Sequence, residues 1–274
     1  MNKRLALVIF IVMCVFALVQ VSPLIWLVSV SFKTSSEIFG KSPLALPESL
    51  HIQNYITAWT DGNVAGYFLN SIIITASTVV LVLILSSMIA YAITRMKSKI
   101  NYIILPLIMA GMTIPIHAIL IPLFLALQAM QLLGTYFAVI LPYTTIGMPL
   151  GVFVFSNFMR SMPRELESAA FIDGCGVIRT FFSIILPTLR PAIATIAIFQ
   201  FMSSWNEFIM AVTFLNKKSL YTLPVGLAAF KGTFMTDWGP LCAAMVISAV
   251  PLILFYFIFS EQVEKSFSAG AVLK

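Results

Sequence analysis

Six long apolar runs dominate this chain and leave it few folds to choose from. A helix needs about 20 mostly apolar residues to cross the hydrocarbon of a bilayer. Candidate spans fall at residues 6–31, 68–94, 101–127, 134–158, 187–213 and 240–260. Hydrophobic residues make up 60% of the 274 and charged residues 9%, against about 25% charge in a typical soluble domain. The expected fold is all-α: a polytopic membrane protein with six transmembrane helices in one domain, residues 1–274. An external segment (32–67), a polar loop (161–190) and a C-terminal tail (261–274) complete the parse.

The first apolar run begins after Met-Asn-Lys-Arg, as a secretory signal would. It persists from Leu5 to Val30 with no small-residue cleavage site after it. It is therefore expected to stay as the first membrane helix. An even number of spans places both termini on one side. With the N-terminus inside, Lys3, Arg4, Arg95, Lys97, Lys99, Arg160, Arg164, Arg179, Arg190, Lys265 and Lys274 are cytoplasmic. Lys33, Lys41, Lys217, Lys218 and Lys231 are then external. That bias fits the positive-inside rule and explains the net charge of +6 without a nucleic-acid partner. Cys14, Cys175 and Cys242 have neither metal nor disulfide spacing, so neither role is expected. His51 and His117 are far apart in sequence, and His117 reads as a packing or hydrogen-bonding residue.

The polar loop is the most specific stretch. Pro163 to Pro191 reads PRELESAAFIDGCGVIRTFFSIILPTLRP and suggests two short helices hinged at Gly174 and Gly176. Pro163 suits a first helical position, Glu165 and Glu167 favour the positive end of the dipole, and Gly174 offers a left-handed stop. Leu166, Ala169, Ala170 and Asp173 follow i, i+3, i+4 and i+7 spacing, which puts them on one face. Two alanines there would let another surface approach the backbone closely, as a docking knob requires.

The Ala-Ala pair, Asp173-Gly174 and Ile185-Leu186-Pro187 together resemble the coupling loop of ATP-binding cassette importer permeases. The resemblance implies that residues 162–173 sit in a groove on a cytoplasmic ATPase. Leu166, Glu167, Ser168, Ala169, Ala170, Asp173 and Gly174 would then be the contact residues. The family usually carries Glu directly before the Ala pair, where this chain has Ser168. Its carboxylate, Glu167, stands one residue earlier, turned by about 100° on a helix. Either Glu167 makes the family's ionic contact from that position, or the contact is missing.

Residues 32–67 read as a turn-rich approach followed by a helix along the outer surface. Asn54-Tyr55 near Trp59, then Phe68, Asn70 and Ser71, extend the resemblance. Pro23, Pro106, Pro115, Pro122, Pro142, Pro149 and Pro251 interrupt the spans, and each frees a backbone carbonyl that must find another partner. Gly147 and Gly151 form a Gly-x-x-x-Gly pair suited to close helix packing.

The fifth span carries FQFMSSWNEFIMAVTF. A charge near the bilayer centre costs roughly 2.5–3.5 kcal/mol on insertion scales, so Glu207 should face protein or water. Trp205-Asn206-Glu207-Phe208 resembles a segment of carbohydrate permeases. An aromatic face, an amide and a carboxylate suit the C–H and hydroxyl surfaces of a sugar. Equally, Asn206 and Glu207 would serve to hold helices together. Tyr143, with Thr144 and Thr145, is a further candidate for the pathway. Ser268, Ala269 and Gly270 resemble the tail of maltose-type permeases, which reaches toward the ATPase dimer.

The chain is thus similar to the smaller, six-span member of a carbohydrate importer's permease pair, with a type I importer fold, in the bacterial cytoplasmic membrane. The resemblance implies a second related permease, two ATPase subunits and an extracytoplasmic sugar-binding protein. No Gly-x-x-x-x-Gly-Lys-Ser/Thr motif occurs, so ATP and Mg are expected on the partner ATPase and no enzymatic activity on this chain. The competing class is an autonomous secondary carrier or channel. Ion-coupled carriers use intramembrane ionisable groups, for which Glu207 and His117 are the candidates.

Overall fold

In hydrocarbon, backbone N–H and C=O groups must be paired within their own segment, which makes each long apolar run a helix. The computed structural model describes the backbone of residues 3–40, 45–96, 98–233 and 238–271, and the side chains of 3–40, 45–96, 98–229 and 238–259. In chain order the helices are α1 (Lys3–Ser31), α2 (Ser35–Gly40), α3 (Gln53–Trp59), α4 (Val64–Arg95), α5 (Asn101–Gly111), α6 (Ile116–Ala129) and α7 (Phe137–Ser161). There follow α8 (Glu165–Ile172), α9 (Val177–Thr180), α10 (Leu186–Thr188), α11 (Arg190–Asn206), α12 (Ile209–Phe214), α13 (Leu223–Thr233) and α14 (Trp238–Ala271).

α1, α4, α7 and the Trp238–Phe259 part of α14 are long and apolar enough to cross a membrane. The number rises to six if two bent pairs each count as one span. The first pair occupies the expected third span, and the second runs from Val177 to Asn206, so it starts ten residues before the expected fifth span (187–213), inside the stretch expected as polar loop. α5 and α6 meet at 100°, and Val177–Thr188 meets α11 at 77°. At the first bend Pro115 is extended (φ −63°, ψ 130°) and has no N–H to continue the ladder. The Gly111 carbonyl, which an N–H at position 115 would have met, takes the Ile114 N–H at 3.4 Å, and Thr113 Oγ1 donates to the Ala110 carbonyl at 2.7 Å. At the second bend Leu189 leaves helical geometry (φ −80°, ψ 5°), and Pro191 opens α11. The fifth span breaks once more at Glu207, which is extended (φ −69°, ψ 129°) between α11 and α12.

The helices form two compact units, Met1–Gly66 with Gly226–Pro251, and Tyr67–Val225 with Leu252–Lys274. In the first unit α1 buries nothing before Val30 and Ser31. The carbonyl of its last residue, which has no partner inside the helix, and one just beyond it are met by α3. Asn54 Nδ2 donates to the Ser31 and Lys33 carbonyls, both at 2.9 Å. The Ser31 and Tyr55 hydroxyls are hydrogen-bonded at 2.7 Å. Gly239 of α14 lies over the same asparagine, where a Cβ would stand 2.7 Å from Asn54 Cγ. The helix expected in the external segment is therefore α3, and it is a peg with Asn54 and Ala58 buried.

In the second unit the packing follows small residues, since helices in lipid gain little from apolar burial alone. A Cβ on Gly151 would stand 2.8 Å from Ser86 Cβ, and one on Gly147 would stand 2.8 Å from Gln200 Cδ. The Gly-x-x-x-Gly pair thus brings α7 onto both α4 and α11. Below it Val82, Phe155, Met159, Ile185, Leu189 and Ile196 form a buried cluster. At the start of α4, Asn70 Nδ2 donates to the Ser219 and Tyr221 carbonyls at 2.9 Å, and its Oδ1 accepts from Tyr136 Oη at 2.7 Å. Ser71 Oγ accepts the Leu223 N–H at 2.7 Å. Both residues bind the loop that leads into α13.

Candidate functional site

α8 is shorter than the expected 162–173, its first helical residue being Glu165 rather than Pro163, but it has the expected stop. Pro163 precedes the helix, and Arg164 occupies the cap position. Gly174 is left-handed (φ +80°). The Gly174 N–H reaches the Phe171 carbonyl at 3.1 Å, and the Cys175 N–H reaches the Ala170 carbonyl at 2.9 Å. This pair of bonds is a Schellman closure, and it satisfies carbonyls that the helix end would orphan. Gly176 is extended and starts α9, so the two-helix reading with glycine hinges matches the structure.

The faces of α8 differ from the sequence expectation. Leu166, Ala169 and Asp173 are exposed, together with Ile172, which the sequence reading left out. Ala170 is not on that face: it is 3% exposed and lies inward with Glu167. Residues i and i+3 share a helix side, so the two inward residues are neighbours. Ser168 is exposed, and its hydroxyl donates back to the Arg164 carbonyl at 3.3 Å.

Glu167 is directed at its own chain. Its Oε1 lies 2.9 Å from Arg95 Nε, with the two side chains 10% and 5% exposed. The approach has the distance of an ion pair but not the alignment of a hydrogen bond. Arg95 Nη2 donates to the Met159 carbonyl at 2.7 Å and to the Met162 carbonyl at 3.1 Å. These belong to the last turn and cap of α7, where a cation also complements the helix dipole. Beside Arg95 lies a cavity of about 510 Å³ lined by Lys99, Arg160 and Arg164, with no carboxylate among its described lining residues.

A larger cavity, about 850 Å³, opens where α5 and α6 bend. Its polar lining is Tyr143, Thr145, Gln200, Ser203, Ser204 and Glu207, and the rest is mainly aliphatic. Gln200, Ser203 and Ser204 form one stripe of α11 at i, i+3 and i+4, and Glu207 follows at i+7, at the residue that caps the helix. That spacing was present in the sequence and marks Gln200, Ser203 and Ser204 as wall residues. Gln200 Nε2 donates to Ser204 Oγ at 2.9 Å.

Glu207 lies on the cavity wall and also holds the span together. Its carboxylate accepts the Met210 N–H at 2.8 Å and the Ala211 N–H at 3.1 Å, closing the first turn of α12. Tyr143 donates its hydroxyl to the same carboxylate. Of the two readings of Glu207, cavity residue and helix linker, its geometry satisfies both. Asn206 is exposed and donates back to the Met202 carbonyl at 2.9 Å. Trp205 does not line the cavity. It is 1% exposed, stacked on Phe201 at 5.5 Å and edge-on to Phe68 at 5.8 Å. Position 205 lies off the stripe, on the side of α11 that packs. Thr145 joins the cavity lining, Thr144 is buried and bonds the Ile140 carbonyl, and His117 is exposed and outside the lining. Ser268, Ala269 and Gly270 fall in α14, but their side chains lie outside the described residues.

Residues 83–269 match the family described as binding-protein-dependent transport system inner membrane component. That stretch contains α8, its hinge and the polar stripe, so the chain belongs to this family of multi-pass membrane permeases. It is 35% identical over 271 residues to the diacetylchitobiose uptake system permease protein NgcG of Streptomyces coelicolor, covering 98% of this chain and 89% of the relative. It is 31% identical to the trehalose/maltose transport system permease protein MalG of Thermococcus litoralis, covering 98% and 97%. Its fold is similar to a chain from a bacterial ABC transporter that imports the acidic polysaccharide alginate. There the TM-score is 0.82 at 22% identity, over 95% of this chain and 96% of that one.

Proposed function

We propose that this chain forms one half of the membrane pathway of an ATP-driven, binding-protein-dependent importer for a sugar or oligosaccharide. α8 is the surface through which a cytoplasmic ATPase moves it. The observation that carries this reading is the division of α8. An exposed strip of Leu166, Ala169, Ile172 and Asp173 is presented outward, while Glu167 and Ala170 fasten the helix to its own chain. A short helix that is capped at its C-terminal end, anchored on one side and bare on the other is built to receive a partner and transmit force as a rigid body.

In this reading both termini and α8 are cytoplasmic. ATP and Mg bind the partner ATPase, a second related permease completes the pathway, and an extracytoplasmic binding protein delivers cargo. Permease relatives whose names specify diacetylchitobiose or trehalose and maltose support a carbohydrate cargo. The chemistry of the larger cavity agrees: amide, hydroxyl and carboxylate groups on an otherwise aliphatic wall can hydrogen-bond sugar hydroxyls. Residues 268–270 are proposed to reach toward the ATPase dimer.

Purification of the tagged chain from its native host tests this. An ATPase, a second permease and a sugar-binding protein should co-purify, and the purified assembly should hydrolyse ATP. Isolation of a lone oligomer that transports without ATP would contradict it.

A further inference from the structure

We infer that Arg95 is the positioning residue that makes α8 move with the transmembrane helices, by holding Glu167 of α8 and the end of α7 in one guanidinium. The inference rests on the reading of α8 as the ATPase-docking helix. The termini give α8 little hold: it joins α7 through the short Met162–Arg164 link, and it ends on the left-handed Gly174 with extended Gly176 beyond. Both ends are places where a helix can pivot. Ala170 packs inward but is small and apolar and fixes no direction, so without the Arg95 contact a docked partner could tilt α8 about it.

The Arg95 contacts remove that freedom. Nε stands 2.9 Å from Glu167 Oε1, and Nη2 donates to the carbonyls of Met159 and Met162 at 2.7 and 3.1 Å. Arg95 is itself the last residue of α4. One planar group therefore ties α4, α7 and α8, and α7 carries Tyr143 and Gly147 of the larger cavity's wall on the same continuous helix. Displacement of α8 is passed through Glu167 to Arg95, and from Arg95 to the helix that lines the pathway. Only the guanidinium fork can hold carboxylate and carbonyls together in this way; a lysine supplies the charge as a single point. Burial of the pair makes it stiff, because a charge left without its partner there is costly. The assignment also accounts for the displaced carboxylate of the loop: at 167 it faces Arg95, while Ser168 is left exposed.

The test uses the purified complex of the permease with its ATPase and a reporter in the larger cavity. Ser203→Cys is labelled with N-ethylmaleimide with and without Mg-ATP, and modification at 203 is read by peptide mass spectrometry. In the parent, nucleotide should change the labelling rate. In Arg95→Lys and Glu167→Gln the ATPase should still co-purify at parental yield, while the nucleotide-dependent change in rate falls about tenfold, the scale of an ordinary coupling between sites. A parental response to nucleotide in Glu167→Gln would overturn the inference. So would failure of both variants to assemble, since the pair would then be only a structural prop. If Arg95→Lys alone fails to assemble, Glu167→Gln decides, because it leaves Arg95 on the α7 carbonyls. Absence of ATPase from the parent preparation itself would instead remove the docking reading on which the inference rests.

Discussion

The Tyr143 hydroxyl donates to the Glu207 carboxylate, joining α7 to the point where α11 gives way to α12. The carboxylate also receives the backbone N–H groups of Met210 and Ala211. It is therefore both the charged group of the cavity wall and the cap that makes the break in the span tolerable.

Replacing Glu207 with Ala should lower stability by about 1–3 kcal/mol, because three part-buried donors lose their acceptor. Glu207→Gln keeps an acceptor oxygen and should lose less. Thermal unfolding of the detergent-solubilised assembly measures both. An unchanged midpoint in Glu207→Ala would show that the cap has no structural weight.

Trp205→Ala should behave as a core truncation. The ring is sandwiched against Phe201 and Phe68, and removing a buried Trp costs about 3–5 kcal/mol. The order in which different sugars compete for uptake should be unchanged in whatever protein survives. A changed order with normal stability would return Trp205 to the pathway.

Gly151→Ala should destabilise by about 1–3 kcal/mol through overpacking, since the added methyl would stand 2.8 Å from Ser86 Cβ. Ser86→Gly removes the atoms it meets and should recover most of the loss in the double variant, the non-additivity expected of residues in contact. Melting midpoints of the single and double variants decide. Additive effects would mean that the two helices do not meet there.

Much of this arrangement was legible in the sequence where the governing interaction is local. Gly174 declared the end of α8 because a left-handed turn there needs no Cβ to be accommodated, and the Schellman bonds run only to Ala170 and Phe171. The stripe of Gln200, Ser203, Ser204 and Glu207 was equally present as helical spacing. The inward side of α8 was not legible. Its determinant, Arg95, lies in another helix far upstream, and the Ala169-Ala170 pair reads as one small surface until that partner is placed. Trp205 misled for a related reason. The likeness of Trp205-Asn206-Glu207-Phe208 to a segment of carbohydrate permeases suggested a cargo role, whereas helical rotation turns position 205 away from the cavity toward Phe68. Pro115 already marked an interruption in the third span, but the angles of the two bends were not legible, because apolar composition records length in the membrane and not direction.

The two alanines of α8 should now separate in experiment. Ala169→Trp adds bulk to the exposed face and should block ATPase association while leaving the melting midpoint near that of the parent. Ala170→Trp forces a large ring into a position that is 3% exposed and should destabilise the permease itself. Matching behaviour of the two in both assays would contradict the division of faces.

Photo-crosslinking from α8 tests the central claim most directly. A photoreactive side chain placed at Leu166, Ala169 or Ile172 should join the permease covalently to a nucleotide-hydrolysing subunit in native membranes. A small aliphatic diazirine side chain placed at Ala170, which is 3% exposed, should give crosslinks within the chain. If the three exposed positions yield adducts with lipid alone, or none, no ATPase is seated on α8 and the importer mechanism described for this chain is wrong.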